Sequence, residues 1–343
     1  MKIIVDAMGG DNAPVEIIKG ALLAKEQDSV ELILVGKEGE IRASAAQQGL
    51  SLDGVEVVNA EQVITMEDAP AEAVRQKKDS SMAVALRLLA EGQGDGVVSA
   101  GSTGALLVGA TLHVKRIKGI RRSALTPVLP TKSGGALLID SGANVECTPE
   151  YLLQFAFMGH HYAKLQMGLQ KPRIGLINIG TEETKGTDLQ KGAYRLLKEA
   201  SDAGAFRFVG NIEGRDIALG GADVLICDGF TGNIVLKTYE GVGLYFVEEM
   251  KNVFYASTKG KLAALMVKPG LRAFKNKLDY KEVGGAPLLG IAKPVVKAHG
   301  SSDARSFLSA IRQLVRYAGS DIIADIANSV QAFSIPEEKK TEN

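Results

Sequence analysis

Short apolar runs that each empty into a loop of Gly, Asp, Asn, Ser and Thr recur along this 343-residue chain. The loops cover residues 6–14, 99–104, 140–144, 178–186, 228–233 and 297–303. β-rich runs at 3–5, 31–35, 55–58, 96–99, 136–139, 173–178, 207–209, 223–227 and 295–297 alternate with helical periodicity at 15–27, 82–90, 103–114, 151–165 and 189–200. Alternating strand and helix predicts an α/β fold, its mostly parallel sheet covered on both faces. Ligands of such folds bind beyond the carboxyl ends of the strands, so loops following successive strands converge on one cleft. Glycines let backbone N–H groups approach an anion, and helix N-termini add a positive dipole, so the ligand implied is phosphate-like. The competing reading is that small residues merely make tight turns and caps.

Helix starts are marked by Thr148 before Pro149, Thr187 before Asp188 and Ser302 before Asp303. No composition shift precedes residue 334, so residues 1–333 read as one α/β unit and 334–343 as a polar tail. Forty basic residues equal forty acidic ones, which argues against a nucleic-acid partner. Cys147 and Cys227 have neither disulfide-scaffold nor metal-site spacing and read as reduced thiols; no metal is expected. The chain enters 2–5 without an apolar targeting segment, and no apolar stretch approaches the 18 or so residues of a span, so a cytoplasmic protein is expected.

One stretch departs from the pattern. Residues 250–278 hold seven Lys or Arg and no acid. Leu262, Leu265 and Met266 share one helical face, as do Leu271, Phe274 and Leu278, with Pro269-Gly270 as the expected turn between two helices. Lys268 and Arg272 flank that turn. This basic amphipathic hairpin fits a surface helix pair, a dimer contact, a membrane surface or an acidic partner.

Neither Gly-x-Gly-x-x-Gly nor a Walker-type loop is present. Two Gly-x-Thr-Gly turns stand instead, Gly101-Ser102-Thr103-Gly104 and Gly229-Phe230-Thr231-Gly232, each between a strand and a helix. Hydroxyls beside free helix N–H groups suit tetrahedral oxygens. With Asp-Ala-Met-Gly-Gly-Asp-Asn-Ala-Pro at 6–14, Gly-Ala-Asn at 142–144, Gly-Thr-Glu-Glu-Thr-Lys-Gly at 180–186, Asp-Gly-Phe-Thr-Gly-Asn at 228–233 and His-Gly-Ser-Ser at 299–302, the chain resembles the phosphate acyltransferases of bacterial phospholipid synthesis over almost its whole length. Ser102 stands where that family usually carries Asn; it keeps a hydrogen-bonding side chain with shorter reach. The resemblance implies a three-layer α/β/α fold similar to isopropylmalate dehydrogenase and phosphotransacetylase. It also implies acyl transfer from acyl carrier protein to inorganic phosphate without a cofactor, a homodimer, peripheral membrane association, and a downstream glycerol-3-phosphate acyltransferase as candidate partner. Phosphate itself is then the nucleophile, and no acyl-enzyme is needed. Rival readings are a phosphate acetyl- or butyryltransferase using coenzyme A thioesters, a metal-dependent decarboxylating dehydrogenase of similar fold, and a membrane-surface scaffold that binds acylated carrier.

Lys185, in a Gly-bounded loop, is the first candidate for a phosphate-binding cation. Lys237 either reaches the same anion or pairs with Asp228. His299, in a Gly-rich loop, is the candidate acid/base or phosphate donor, or else a residue that ties down backbone; His113, His160 and His161 fall on helical segments as packing or surface residues. Asp6, Asp11, Asp140 and Asp228 are expected to hold loop N–H groups, with a Mg²⁺ site as the alternative. Asn144, Asn178 and Asn233 suit oxyanion or thioester contacts, or turns; Gly9, Gly10, Gly180 and Thr181 complete the expected substrate loops.

Overall fold

The computed structural model describes residues 1–278 and 284–333, without the side chains of 272–278. The 334–343 tail therefore lies outside the described residues, as do the side chains of Arg272 and Phe274. In chain order the strands are β1 (Lys2–Asp6), β2 (Glu31–Gly36), β3 (Glu56–Asn59), β4 (Gly96–Ser99), β5 (Ala124–Leu125), β6 (Val128–Thr131), β7 (Gly134–Ile139), β8 (Arg173–Ile177), β9 (Arg207–Ile212), β10 (Val224–Ile226), β11 (Ala286–Leu289) and β12 (Val295–Lys297). The predicted α/β class is present, but the strands divide between two sheets, ordered β3-β2-β1-β4-β12-β11-β5 and β6-β7-β10-β8-β9. Pairing is parallel except at β11 with β12, β11 with β5, and β6 with β7.

The antiparallel strands are those the sequence pattern misses. β5, β6 and β11 are short and lie beside or contain Pro127, Pro130 and Pro287, which read as loop punctuation. Other strands match their apolar runs closely, because both faces of a parallel sheet are buried and the residues need no alternation. A shared core joins the sheets: Ile3, Leu34 and Val98 of one and Leu137, Ile174 and Val224 of the other belong to a single buried cluster. Helix Pro149–Leu165 runs through that cluster and buries residues around most of its circumference, including Leu152, Phe155, Met158 and Tyr162.

Thr187 caps Asp188–Asp202 through a reciprocal capping box with Gln190. The cap expected at Ser302 lies one residue later: Asp303 Oδ1 accepts the N–H of Ser306 at 2.8 Å, and Ser302 N bonds His299 O in the preceding turn. The helical run expected over 103–114 is an α-helix only to Gly109 and closes in a π-helical turn, Ala110–Val114.

The hairpin exists, with a different hinge. A stem helix, Gly229–Tyr255, leads into a return helix, Thr258–Leu278, that continues through Pro269. The turn is at 256–257, where Ser257 Oγ accepts the N–H of Gly260 at 3.0 Å and starts the return helix. Pro269 forfeits one backbone bond, which an exposed helix can replace with water. Leu262, Leu265, Met266 and Lys268 are exposed, Leu271 is half-buried, and the stem adds exposed Val242, Leu244, Tyr245 and Phe246. No helix among the described residues is long and apolar enough to cross a membrane.

A core shared by both sheets should fail as one. Phe155→Ala is expected to lose about 3–5 kcal/mol of stability while urea unfolding stays a single transition, coincident by circular dichroism and tyrosine fluorescence; two separated transitions would mean independent lobes.

Candidate active site

Three adjacent parallel strands end in a row of polar residues. Asp6 of β1 is in register with Ser99 of β4, and Ser99 with Lys297 of β12. Neighbours in register on a parallel sheet point to the same side. Ser99 Oγ donates to Asp6 Oδ2 at 2.6 Å and accepts Gly101 N–H at 3.1 Å, linking the β1 and β4 loops. Burial pushes the Asp6 carboxyl above its ordinary range, opposed by hydroxyl bonds from Ser81 and Ser99 and by the Lys297 charge. Lys297 is only 7% exposed. Its Nζ donates to Ala100 O at 3.2 Å and to Ala298 O, leaving one of three ammonium hydrogens for another acceptor. Burial lowers its pKa to about 8, against the attraction of Asp6 and Asp11.

The second sheet supplies the facing wall. Asp140, at the end of β7, accepts Leu125 N–H, Ser141 N–H and Asn144 N–H at 2.9, 2.8 and 2.6 Å. Asp228 caps the stem helix, taking the N–H and the hydroxyl of Thr231 at 2.8 Å each. The loop-holding role expected of the aspartates is what Asp6, Asp140 and Asp228 perform. Between the walls lies a cavity of about 520 Å³, a size suited to a small ligand. Its polar side carries Thr103, Ser141, Asn233, Lys237, Lys297 and His299, and its apolar side Met66, Leu125, Pro127, Val128, Phe230 and Leu236.

His299 Nδ1 accepts the N–H of Ser301 at 3.2 Å and contacts Ser301 Oγ at 2.9 Å, which leaves the proton of a neutral imidazole on Nε2. Lys237 lines the cavity and pairs with Glu240 at 2.8 Å rather than with Asp228, since Glu240 lies one helical turn along the same face. Asn233 is exposed at the cavity wall.

Other expected contacts are placed differently. Lys185 is exposed and does not line the cavity; its carbonyl accepts Asn178 Nδ2 at 3.1 Å, and Asn178 Oδ1 accepts Ile179 N–H, so both shape their own loop. Gly180 is buried under Glu182 and Thr181 is exposed on that loop. Asn144 donates its amide to Ser123 O and to Asp140, tying this loop to the β5 segment. Ser102 caps the short helix that Thr103 begins.

The glycines serve mainly loop-to-loop packing. Gly9 and Gly101 approach each other too closely for a side chain, Gly104 sits against Pro70, and Gly229 donates to Asn144 O at 2.7 Å. Gly10 has φ +102° and a Cβ there would crowd Ala100 and Gly300 O, while Asp11 N–H donates to that same carbonyl at 2.8 Å. A Cβ on Gly232 would fall inside the carbonyl oxygen of Asp140.

The cation missed by sequence reasoning is Lys297, whose signal was a lysine interrupting Val295-Val296 and Ala298, a charge inside a buried strand. Both thiols sit in surroundings that disfavour the thiolate. Burial, with the Asp140 and Asp228 charges, pushes Cys147 up to about 12, and burial also raises Cys227 well above the ordinary thiol range.

Residues 1–325 match the family described as fatty acid synthesis protein. The chain is 47% identical over 335 residues to a phosphate acyltransferase of Clostridium acetobutylicum, covering 97% of this chain and all of the relative. It is 45% identical over 341 residues to one of Clostridium perfringens, covering 99% and 100%. Among solved structures, a phosphotransacetylase from Streptococcus pyogenes superposes with a TM-score of 0.64 at 17% identity, over 96% of this chain and 94% of that one. A 4-hydroxythreonine-4-phosphate dehydrogenase from Salmonella typhimurium reaches 0.54 at 14%, over 92% and 98%. At these identities the two structures share the fold.

Packing at Gly232 is checked by comparison along one helix. Gly232→Ala is expected to destabilise by about 1–3 kcal/mol or more through overpacking and to lower turnover with it. Gly241→Ala, where a Cβ meets open space, should stabilise by about 0.5–1 kcal/mol. Equal melting temperatures for the two variants would contradict the packing argument.

Proposed function

The chain belongs to the phosphate acyltransferase family and transfers acyl groups to phosphate, and on that premise we propose that the acyl donor is an acyl carrier protein thioester attacked directly by phosphate held at Lys297. One observation carries this reading: a buried ammonium and His299 share a cavity with an apolar wall of Leu125, Pro127, Val128 and Leu236. The polar side suits phosphate and the apolar side suits a fatty chain. Thr103 and Asn233 are further phosphate or thioester contacts, with Lys237 as a second cation at the wall.

Hydrogen phosphate attacks the thioester carbon through an oxygen that carries no proton. The carbonyl becomes an oxyanion, offset by the Lys297 ammonium and by the Nε2–H of His299. Collapse breaks the C–S bond, and the proton of the phosphoryl group passes to the departing thiolate, giving acyl phosphate and free thiol, while His299 keeps its Nε2–H as a hydrogen-bond donor throughout. Phosphate is itself the nucleophile, so no covalent acyl-enzyme is required.

Lys297→Met is expected to reduce kcat/KM for phosphate about 100-fold or more, without lowering the melting temperature, because a buried charge is removed. Lys185→Ala is the comparison, and a larger loss there than in Lys297→Met would return phosphate binding to the exposed loop. In the native enzyme, phosphate use should decline as pH rises through about 8, where the ammonium is lost. Stability should move oppositely: the folded pKa lies below the unfolded 10.5, so the unfolded chain binds more protons between these values and stability rises with pH there. Activity with acyl carrier thioester set against acyl-coenzyme A identifies the donor.

The hairpin is proposed as a peripheral contact with an anionic membrane, where the acyl phosphate would meet its downstream acyltransferase. Met266 is 78% exposed, beside Lys259, Lys261 and Lys268, and each basic residue near such a surface contributes about 1 kcal/mol. Leu265→Asp with Met266→Asp should abolish co-sedimentation with anionic vesicles and spare activity on a soluble donor. A shift from dimer to monomer in a sizing measurement would instead assign this face to subunit contact.

A further inference from the structure

The cations of this neutral chain are not spread evenly. Residues 96–139 contain no acid, yet carry Lys115, Arg116, Lys118, Arg121, Arg122 and Lys132. The fold gathers part of this charge beside cations from another segment. Two concavities of about 660 and 580 Å³ adjoin on one face and share Arg75 and Leu112. The first adds Lys78 and Arg87, and the second adds Arg116 and Arg122. Their acids are Asp79, whose carboxylate holds Glu61 N–H at 3.0 Å, and Glu146. Among the described residues none of Arg75, Lys78, Arg87, Arg116 or Arg122 joins an ion pair. Three are nevertheless held in position: Arg87 donates to Lys78 O at 2.6 Å, Arg116 donates to Arg121 O, and the Arg122 guanidinium lies 5.5 Å from the centre of the Tyr151 ring.

The groove leads to the active site. Val145 lines both the second concavity and the catalytic cavity. We infer that this Arg-rimmed groove docks an acidic segment of the protein that carries the acyl thioester, so that the acyl arm crosses Val145 into the cavity. The inference rests on the proposed carrier donor and adds where that carrier sits. Charge complementarity selects an acidic partner. The shape selects a protein segment over a bilayer: Leu107, Val108 and Leu112 line a concave trough, whereas a flat anionic surface meets projecting elements such as the hairpin.

The test measures the native enzyme and the Arg75→Glu/Arg116→Glu variant with two donors, acyl carrier protein thioester and an uncharged acyl-pantetheine thioester that lacks the protein. The variant should raise KM for the carrier at least tenfold and flatten its dependence on salt, while kinetics with acyl-pantetheine and with phosphate stay native. Native carrier KM and salt slope in the variant would overturn the docking site. A native enzyme that gains nothing from the carrier over acyl-pantetheine would overturn the donor reading itself. Lost sedimentation with anionic vesicles at unchanged carrier KM would make the groove a lipid contact and also overturn the proposal. If both donors decline together, Arg75→Gln/Arg116→Gln, which removes charge without adding repulsion, decides: a raised carrier KM alone supports docking, and an unchanged one overturns it.

Discussion

Lys297 carries a charge at the end of a buried strand, and the surroundings of its ammonium organise the strand ends beside the cavity. Two backbone carbonyls take two of its hydrogens. Asp6, two strands away in the same register row, supplies the compensating negative charge through Ser99. A charge so placed is costly to bury. Its location makes sense if an anion completes its coordination. The row fixes the relative height of β1, β4 and β12, and so decides where the loops that follow them can meet.

The facing sheet is tied by a different device. Asp140 gathers N–H groups from Leu125, Ser141 and Asn144, bending the chain after β7 back across β5. The stem helix then starts hard against that bend, with Gly229 and Gly232 allowing the contact. Glycine in these loops therefore acts chiefly by letting backbones touch. The cavity is what remains between two tightly tied walls, and its apolar side comes from elements around that bend.

Charge is partitioned as well as balanced. The return helix and residues 96–139 are acid-free runs that carry cations, while acids are distributed over other segments. Neither cationic region overlaps Lys297, so surface recognition and phosphate chemistry can be varied independently. Long-range attraction to these exposed regions is screened by salt. The buried ammonium is much less so.

Much of the α/β fold was legible from alternation of apolar runs and helical periodicity, because parallel strands buried on both faces must be apolar throughout. The six polar loops also marked the correct ends of the strands, since only turn residues can follow them. The sequence by itself thus determined the class of fold and the family to which the chain belongs. It did not decide which lysine lines the cavity. Lys185 looked functional in its glycine-bounded loop and lies exposed, whereas Lys297 looked like the end of a strand and lies in the cavity. Local pattern cannot distinguish them, because burial depends on which strands become neighbours. The division into two sheets, the hinge at 256–257 and the role of Gly232 were likewise set by tertiary packing, where a backbone oxygen from a distant loop fills the space a side chain would need.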